Sequence, residues 1–195
     1  MSITNDTIAG GCSCGQVRYE LKKEPMFIHC CHCHLCQQQT GSAFITHAFI
    51  ENSNFHLKSG NLRSCQGPSG SGGEHRVETC YNCSAAIVSY FGPTNYLAIV
   101  KVGTFDNPNI RSPNAHIFTE SAVDWIKIPN GVECYEQFYN FKDAWPNESF
   151  KRLHEVRKLQ SQFLPGRANR GQRQGHRLRR STHWRWRKTT PSLRS

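Results

Sequence analysis

The cysteines constrain this chain most strongly, because seven of the ten fall in three closely spaced groups. The groups are a C-x-C pair, a C-x-C-x-x-C triplet and a C-x-x-C pair, formed by Cys12 and Cys14, by Cys31, Cys33 and Cys36, and by Cys80 and Cys83. Alternate residues of an extended segment point to the same side, and a C-x-x-C turn brings two sulfur atoms together. Such spacing is typical of thiolates that bind one metal ion.

Length and composition agree with metal binding rather than with disulfide cross-linking. A chain of 195 residues buries enough apolar surface to form a core without disulfide bonds. Its cysteine content lies below the ~8–10% that marks secreted disulfide scaffolds, and no signal peptide is recognisable. No apolar run reaches the roughly 18 residues of a membrane span. We therefore expect a cytoplasmic protein with reduced cysteines and no membrane partner.

The three groups predict two zinc ions per chain. We call the two pairs together the four-cysteine cluster, Cys12, Cys14, Cys80 and Cys83, and the triplet the three-cysteine cluster, Cys31, Cys33 and Cys36. Four thiolates complete a tetrahedral shell, which is typical of a structural zinc ion. Three protein ligands with a free fourth position are the pattern of a catalytic zinc ion.

The three-cysteine cluster has an alternative arrangement in which a fourth ligand closes it. Cys30 or one of His29, His32 and His34 would supply that ligand, and histidine is a common one for zinc. A closed second site would remove the chemistry. Adjacent residues of an extended chain point in opposite directions, which disfavours Cys30 as a co-ligand of Cys31.

A few further residues are weighed for a role. Cys65 and Cys134 lie outside the groups and are interpreted as reduced bystanders, which free cysteines often are. His34, His47 and His116 are candidates for a general acid or base, although a structural or solvated histidine is the more common case. The sequence therefore assigns no catalytic residue.

The first three quarters of the chain predict a mainly β domain over residues 8–140. Short β-branched or aromatic runs are separated by turn signals: Gln16–Leu21, Ala43–Ile50, Phe55–Lys58, Ala86–Phe91 and Tyr96–Val102. One short helix is expected inside this domain, around Leu35–Thr40. Apolar residues then recur at spacings of three and four over residues 149–163, which predicts an amphipathic helix.

Charge is divided unevenly along the chain. The formal net charge of +10 comes from residues 141–195, whereas residues 1–140 are slightly acidic. Residues 165–195 are rich in Arg, Gly, Gln and Ser and poor in aliphatic residues, so we expect a disordered basic tail. Trp184 and Trp186, interleaved with arginines, are compatible with nucleic-acid binding through this tail only and with a nuclear location.

Four segments, in order and spacing, resemble the glutathione-dependent formaldehyde-activating enzyme family, which includes centromere protein V-like proteins. The segments are GGCSCGQVRYE, CHCHLCQQQTGSAF, CYNCSAA and HIFTESAVDWIKI. The resemblance implies a β-tent fold of small antiparallel sheets, shared with a Rab exchange factor. It also implies that the four-cysteine cluster holds a structural zinc ion and the three-cysteine cluster a catalytic one. Thr79 and Ser84 depart from the family pattern, which has an aromatic residue before the C-x-x-C pair and Gly after it.

The activity implied by the resemblance is that of a carbon–sulfur lyase, which adds glutathione to formaldehyde to form S-(hydroxymethyl)glutathione. Glutathione would then be a co-substrate, beside a small aldehyde. Two alternatives remain at this stage. One is a zinc lyase or isomerase that acts on another metabolite, and the other is a non-enzymatic zinc module that binds nucleic acid through its tail.

Overall fold

The computed structural model describes residues 7–69 and 73–163. The predicted basic tail, residues 165–195, lies outside the described residues, and so does the nucleic-acid interaction proposed for it. No helix within the described ranges is both long enough and apolar enough to cross a membrane.

The described chain is built around eleven strands in two sheets. They are β1 Ile8–Gly11, β2 Arg18–Leu21, β3 Phe27–Cys31, β4 Ile45–Glu51, β5 Phe55–Ser59, β6 Leu62–Gln66, β7 His75–Cys80, β8 Ala86–Phe91, β9 Leu97–Lys101, β10 Ala115–Ile117 and β11 Glu133–Tyr135. The smaller sheet has the order β1-β2-β5, and the larger has the order β11-β10-β3-β4-β9-β8-β7-β6. The mainly β fold predicted from the sequence is confirmed.

One edge of the larger sheet departs from the expected antiparallel pairing. Strand β10 pairs in parallel with both β3 and β11, whereas the other pairs are antiparallel. Parallel neighbours need a long crossover connection. The chain supplies one between β3 and β10, which spans β4 to β9, and another between Ile117 and Glu133.

The central strands of the larger sheet are buried on both faces, so alternate residues enter two different cores. Ile28, Ala48 and Val100 are register partners in the core that the larger sheet shares with the smaller one. Phe27 and its partner Phe49 belong to the second core, which lies beneath the C-terminal helices. We call this second side the helix-facing side of the sheet.

Three α-helices complete the described fold: α1 His34–Thr40, α2 Phe141–Ala144 and α3 Asn147–Phe163. The predicted C-terminal helix is confirmed. Leu153 and Val156 of α3 are buried, and Arg152 makes a bidentate ion pair with Glu51 of β4 at 2.7 and 2.6 Å. The stripe of apolar residues thus packs on the domain, because it covers the helix-facing side of the sheet.

Candidate metal centres

The four-cysteine cluster joins the start of the chain to the turn between β7 and β8. Its four Sγ atoms lie within 4.8 Å of one another. The Sγ atoms of Cys12 and Cys14 are 3.3 Å apart, and those of Cys14 and Cys80 are 3.8 Å apart. Zn–S bonds of about 2.3 Å in a tetrahedron place sulfurs about 3.8 Å apart. The donor set and its spacing therefore fit a zinc ion.

The turn after Cys80 has a strained backbone position at Ser84, where the family resemblance leads us to expect glycine. Ser84 adopts a positive φ of 61°, and its N–H donates to the Cys80 carbonyl at 2.9 Å. A left-handed φ favours glycine because it has no Cβ. The glycine usual at this place in the family thus has a conformational reason, and Ser84 carries the strain.

Hydrogen bonds stabilise thiolates in this cluster. The Val17 N–H donates to the Cys12 Sγ at 3.2 Å. The Ala85 N–H, followed by the Ser13 hydroxyl, lowers the pKa of Cys83 to about 6. Hydrogen-bond donors to sulfur favour the charged form of a cysteine. These contacts therefore favour the thiolate forms of Cys12 and Cys83, and the thiolate is the form that binds a metal.

The three-cysteine cluster lies where β3 passes into α1. Cys31 is the last residue of β3 and is buried, Cys33 has extended backbone immediately before α1, and Cys36 lies in the first turn of that helix. Their Sγ atoms lie within 4.8 Å of one another. The neighbouring thiols of Cys31 and Cys36 lower the pKa of Cys33 to about 2, while hydrogen bonding to Cys33 raises the pKa of Cys31.

Within residues 7–69 and 73–163, no other His, Cys, Asp or Glu joins these three sulfur atoms at that distance. The residues considered as a possible fourth ligand contact other groups or are exposed. Cys30 contacts the Thr46 hydroxyl at 3.4 Å, on the opposite side of β3 from Cys31. His32 pairs with His116 at 2.8 Å between ring nitrogens, and His34 is exposed. The geometry therefore favours the open arrangement.

The remaining alternative ligand, His29, belongs to a buried polar row. His29, His47 and Lys101 are register partners on β3, β4 and β9. The Lys101 Nζ lies 2.9 Å from the His47 Nε2 and 2.8 Å from the Ser89 hydroxyl. The His29 Nδ1 lies 2.9 Å from the Tyr139 hydroxyl, and the facing nitrogens of the two histidines are 3.3 Å apart.

The row faces the same side of the sheet as the three-cysteine cluster. Successive strand residues alternate between the two sides, so His29 shares the side of Cys31. Burial lowers the pKa of Lys101 to about 8 and that of His29 to about 3, because it disfavours the charged forms. Burial also lowers the pKa of His47 well below its usual value. Lys101 is thus a buried amine held by hydrogen bonds to His47 and Ser89.

Comparison with known proteins identifies the family. The model of the glutathione-dependent formaldehyde-activating enzyme family matches residues 7–121, which is more than half of the chain and includes all seven grouped cysteines. The chain belongs to this family. A crystal structure of a Rhodobacter sphaeroides protein, a structural-genomics target, matches with a TM-score of 0.40 and 21% identity over 52% of this chain and 92% of that one. No curated protein matches significantly.

The geometry brings the grouped cysteines together in two separate clusters. The structure gathers both clusters as the sequence groups them, while Cys65 and Cys134 are exposed and belong to neither cluster. The identity and number of the ions remain predictions. Of the three histidines considered as an acid or base, His34 is exposed on α1, and His47 lies on the side of Cys31. His116 alternates with Ala115 and Ile117, which enter the helix-facing core.

Sequence reasoning missed Lys101 altogether. It is the last residue of the apolar strand LAIVK, a place where a lysine commonly reaches solvent. Its hydrogen-bond partners lie on two neighbouring strands, His47 on β4 and Ser89 on β8, and His47 is 54 residues away in the chain. The alternation of β9 places Lys101 on the same side as Ile99, and this pattern was the one local indication that Lys101 is buried.

Proposed function

We propose that this member of the formaldehyde-activating family is a zinc-dependent carbon–sulfur lyase-type enzyme. It would add a thiol such as glutathione to a small aldehyde such as formaldehyde at the three-cysteine cluster. The observation that carries this proposal is a set of three converging sulfur atoms with no fourth protein ligand in the described chain. Membership of the family supports the reaction class.

The residues present fit a zinc ion at this cluster. Three thiol sulfurs within 4.8 Å of one another can occupy three corners of a tetrahedron with bonds of about 2.3 Å. When bound, zinc would favour the deprotonated form of a thiol at its open position and polarise a carbonyl oxygen. Three thiolates leave a net charge of about −1 on the loaded site, which favours ligand exchange over strong acidity.

The chain's own residues would hold and orient the reactants. Cys31 fixes the cluster to the rigid end of β3, and Cys33 and Cys36 are fixed by the first turn of α1. The helix-facing core, with Ile45 and Ile117 beside Cys31, limits the access of water from one side. An apolar surface that excludes water strengthens electrostatic interactions with a thiolate or a developing alkoxide.

The four-cysteine cluster would have a structural role. Four protein ligands leave no open position, and the cluster ties β1 to the β7–β8 turn across a separation of 66 residues between Cys14 and Cys80. We therefore propose two zinc ions per chain, one for stability and one for chemistry.

The experiment is an exchange measurement with the purified, zinc-loaded full chain. Formaldehyde and glutathione are mixed, and the rate of formation of S-(hydroxymethyl)glutathione is followed by exchange NMR against the spontaneous rate. Acceleration by the wild type and by Cys65→Ala, but not by Cys33→Ala, is the expected result. A wild-type rate equal to the spontaneous one would contradict the proposed reaction, and acceleration with a different thiol or aldehyde would support the alternative of another metabolite.

A further inference from the structure

The residue between two of the three clustered cysteines is held from three directions. The His32 N–H donates to the Ile117 carbonyl at 3.0 Å, and the His32 ring Nε2 lies 2.8 Å from the His116 Nδ1. Both contacts come from β10, and the ring faces away from Cys31 and Cys33 because neighbouring residues of an extended segment alternate. The third contact reaches the His32 carbonyl from α1.

Gln37 makes that third contact. It directly follows Cys36, and its side-chain Nε2 donates to the His32 carbonyl at 2.7 Å and to the Ser121 carbonyl at 2.8 Å. Both neighbours are carbonyl oxygens, which only accept, so the nitrogen of the amide and not its oxygen must face them. Both amide protons are therefore used, one on the segment that carries the cysteines and one on a turn 84 residues further along the chain.

Packing alone would hold α1 weakly. The helix has seven residues, and none of them is buried. A helix this short is marginal on its own. The position of Cys36, in the first turn of α1, therefore depends on polar contacts such as that of Gln37, which ties this turn back to the end of β3.

The turn that accepts the second hydrogen bond is strained. It comprises Thr119–Ser121 and follows Phe118, whose φ of 54° lies in the left-handed region that bulky residues rarely adopt. Such a conformation persists only where surrounding contacts hold it. Phe118 comes directly after Ile117, the register partner of Cys31, so the Gln37 amide joins the cysteine segment to the strained turn beside it.

We propose that Gln37 is the positioning residue of the three-cysteine cluster. Its amide holds the first turn of α1 against the end of β3, so that Cys36 converges with Cys31 and Cys33 before a zinc ion binds. The proposal rests on the zinc site of the proposed function, but not on the reaction. Because the amide acts through backbone carbonyls and is not a ligand, it leaves the fourth position of the ion free for a thiol.

The test compares the same substitution at two neighbouring positions. Gln37→Met removes both donated hydrogen bonds and keeps a similar side-chain length and helix propensity. Gln38→Met makes the same change at an exposed position of α1 and is the matched control. Each full chain is loaded with zinc and titrated with chelators of graded affinity, and the zinc that remains bound is measured. Cys33→Ala identifies which ion belongs to the three-cysteine cluster.

Gln37→Met should bind the zinc ion of the three-cysteine cluster about 10–100-fold more weakly than the wild type, which is the usual effect of removing a group that orients metal ligands. The ion of the four-cysteine cluster should be bound as tightly as in Gln38→Met, and it serves as a control within the same molecule.

Three outcomes would contradict the proposal. Equal zinc affinities in Gln37→Met and Gln38→Met would overturn the positioning role alone. An equal weakening of both ions in Gln37→Met would also overturn it, because it would indicate general destabilisation. A wild-type chain that binds a single zinc ion, and binds it as tightly after Cys33→Ala, would overturn the proposed zinc site and this proposal with it.

Discussion

The two cysteine clusters use one ligand type in two different settings. The four-cysteine cluster draws its residues from two distant segments and lies near the surface, where Cys14 is exposed. The three-cysteine cluster comes from six consecutive positions, residues 31–36, and lies against the helix-facing core. The two proposed roles, structural and reactive, therefore rest on ligand count and surroundings rather than on ligand chemistry.

The surroundings of the two clusters also differ in their polar neighbours. In the four-cysteine cluster, the Ala85 N–H followed by the Ser13 hydroxyl lowers the pKa of Cys83. The three-cysteine cluster shares its side of the sheet with the buried Lys101. Under the proposed function, the first setting belongs to a permanent metal site and the second to a site that exchanges a ligand.

The largest effect is expected from breaking the closed site. Cys80→Ala should cost about 4 kcal/mol or more of unfolding free energy, because loss of a structural metal belongs to the most damaging class of substitutions. Metal analysis should show one zinc ion fewer per chain, and thermal unfolding should show the loss of stability. Cys134→Ala, an exposed cysteine outside both clusters, is the control. A variant as stable as the control would contradict the structural role of this cluster.

Removing a ligand of the three-cysteine cluster should instead affect activity far more than stability. Cys33→Ala should abolish acceleration of the thiol–aldehyde reaction and lose one zinc ion, while the free energy of unfolding changes by about 1 kcal/mol or less, because the cluster closes no long connection in the chain. Circular dichroism and exchange NMR measure the two quantities. A large loss of stability with activity retained would mean that the roles of the two clusters are exchanged.

An intermediate effect is expected from the ion pair that fixes α3 over the helix-facing core. Burial alone would raise the pKa of Glu51, but the hydrogen bonds and charge of Arg152, together with hydrogen bonds from the Glu51 backbone and Asn54, outweigh burial and lower the pKa. A lowered folded-state pKa gives stability that is present above the ordinary glutamate pKa and is lost as the pH falls through the folded value. Arg152→Met should therefore cost about 1–3 kcal/mol at neutral pH and much less in acid.

Denaturant unfolding at several pH values checks this prediction. The zinc content should stay unchanged, since Arg152 contacts neither cluster, and Lys151→Met on the exposed side of α3 serves as the control. A cost that is the same at neutral and acidic pH would show that the ion pair does not stabilise the fold.

The smallest effect is a gain in stability at the closed site. Ser84→Gly should raise the free energy of unfolding by about 0.5–1 kcal/mol, because glycine adopts the positive φ at this position without steric cost. Ser42→Gly, at a position with ordinary φ, should instead lower stability slightly. Chemical denaturation of both variants measures the free energy of unfolding. A lower value for Ser84→Gly than for the wild type would contradict the inference that the Ser84 backbone is strained.

Local patterns carried most of what could be predicted from the sequence. Each cysteine group is short-range, so spacing indicated the three-cysteine cluster and the two pairs, while the union of the pairs followed from the four ligands that a closed zinc site needs. Period-two alternation indicated the strands. The parallel pairing of β10 with β3 could not be predicted, because it joins residues such as Ile117 and Cys31 that are far apart in the chain. The setting of Lys101 has the same cause: its partners His47 and Ser89 lie on other strands.

The most direct test of the contrast between the clusters is an optical titration of the cobalt-substituted full chain with glutathione. Cobalt in thiolate sites gives absorption bands that report the ligands of each ion. The account predicts that the bands of one ion shift on addition of glutathione, that those of the other do not, and that Cys33→Ala loses the responsive set. Two unresponsive ions would contradict the open site at Cys31, Cys33 and Cys36.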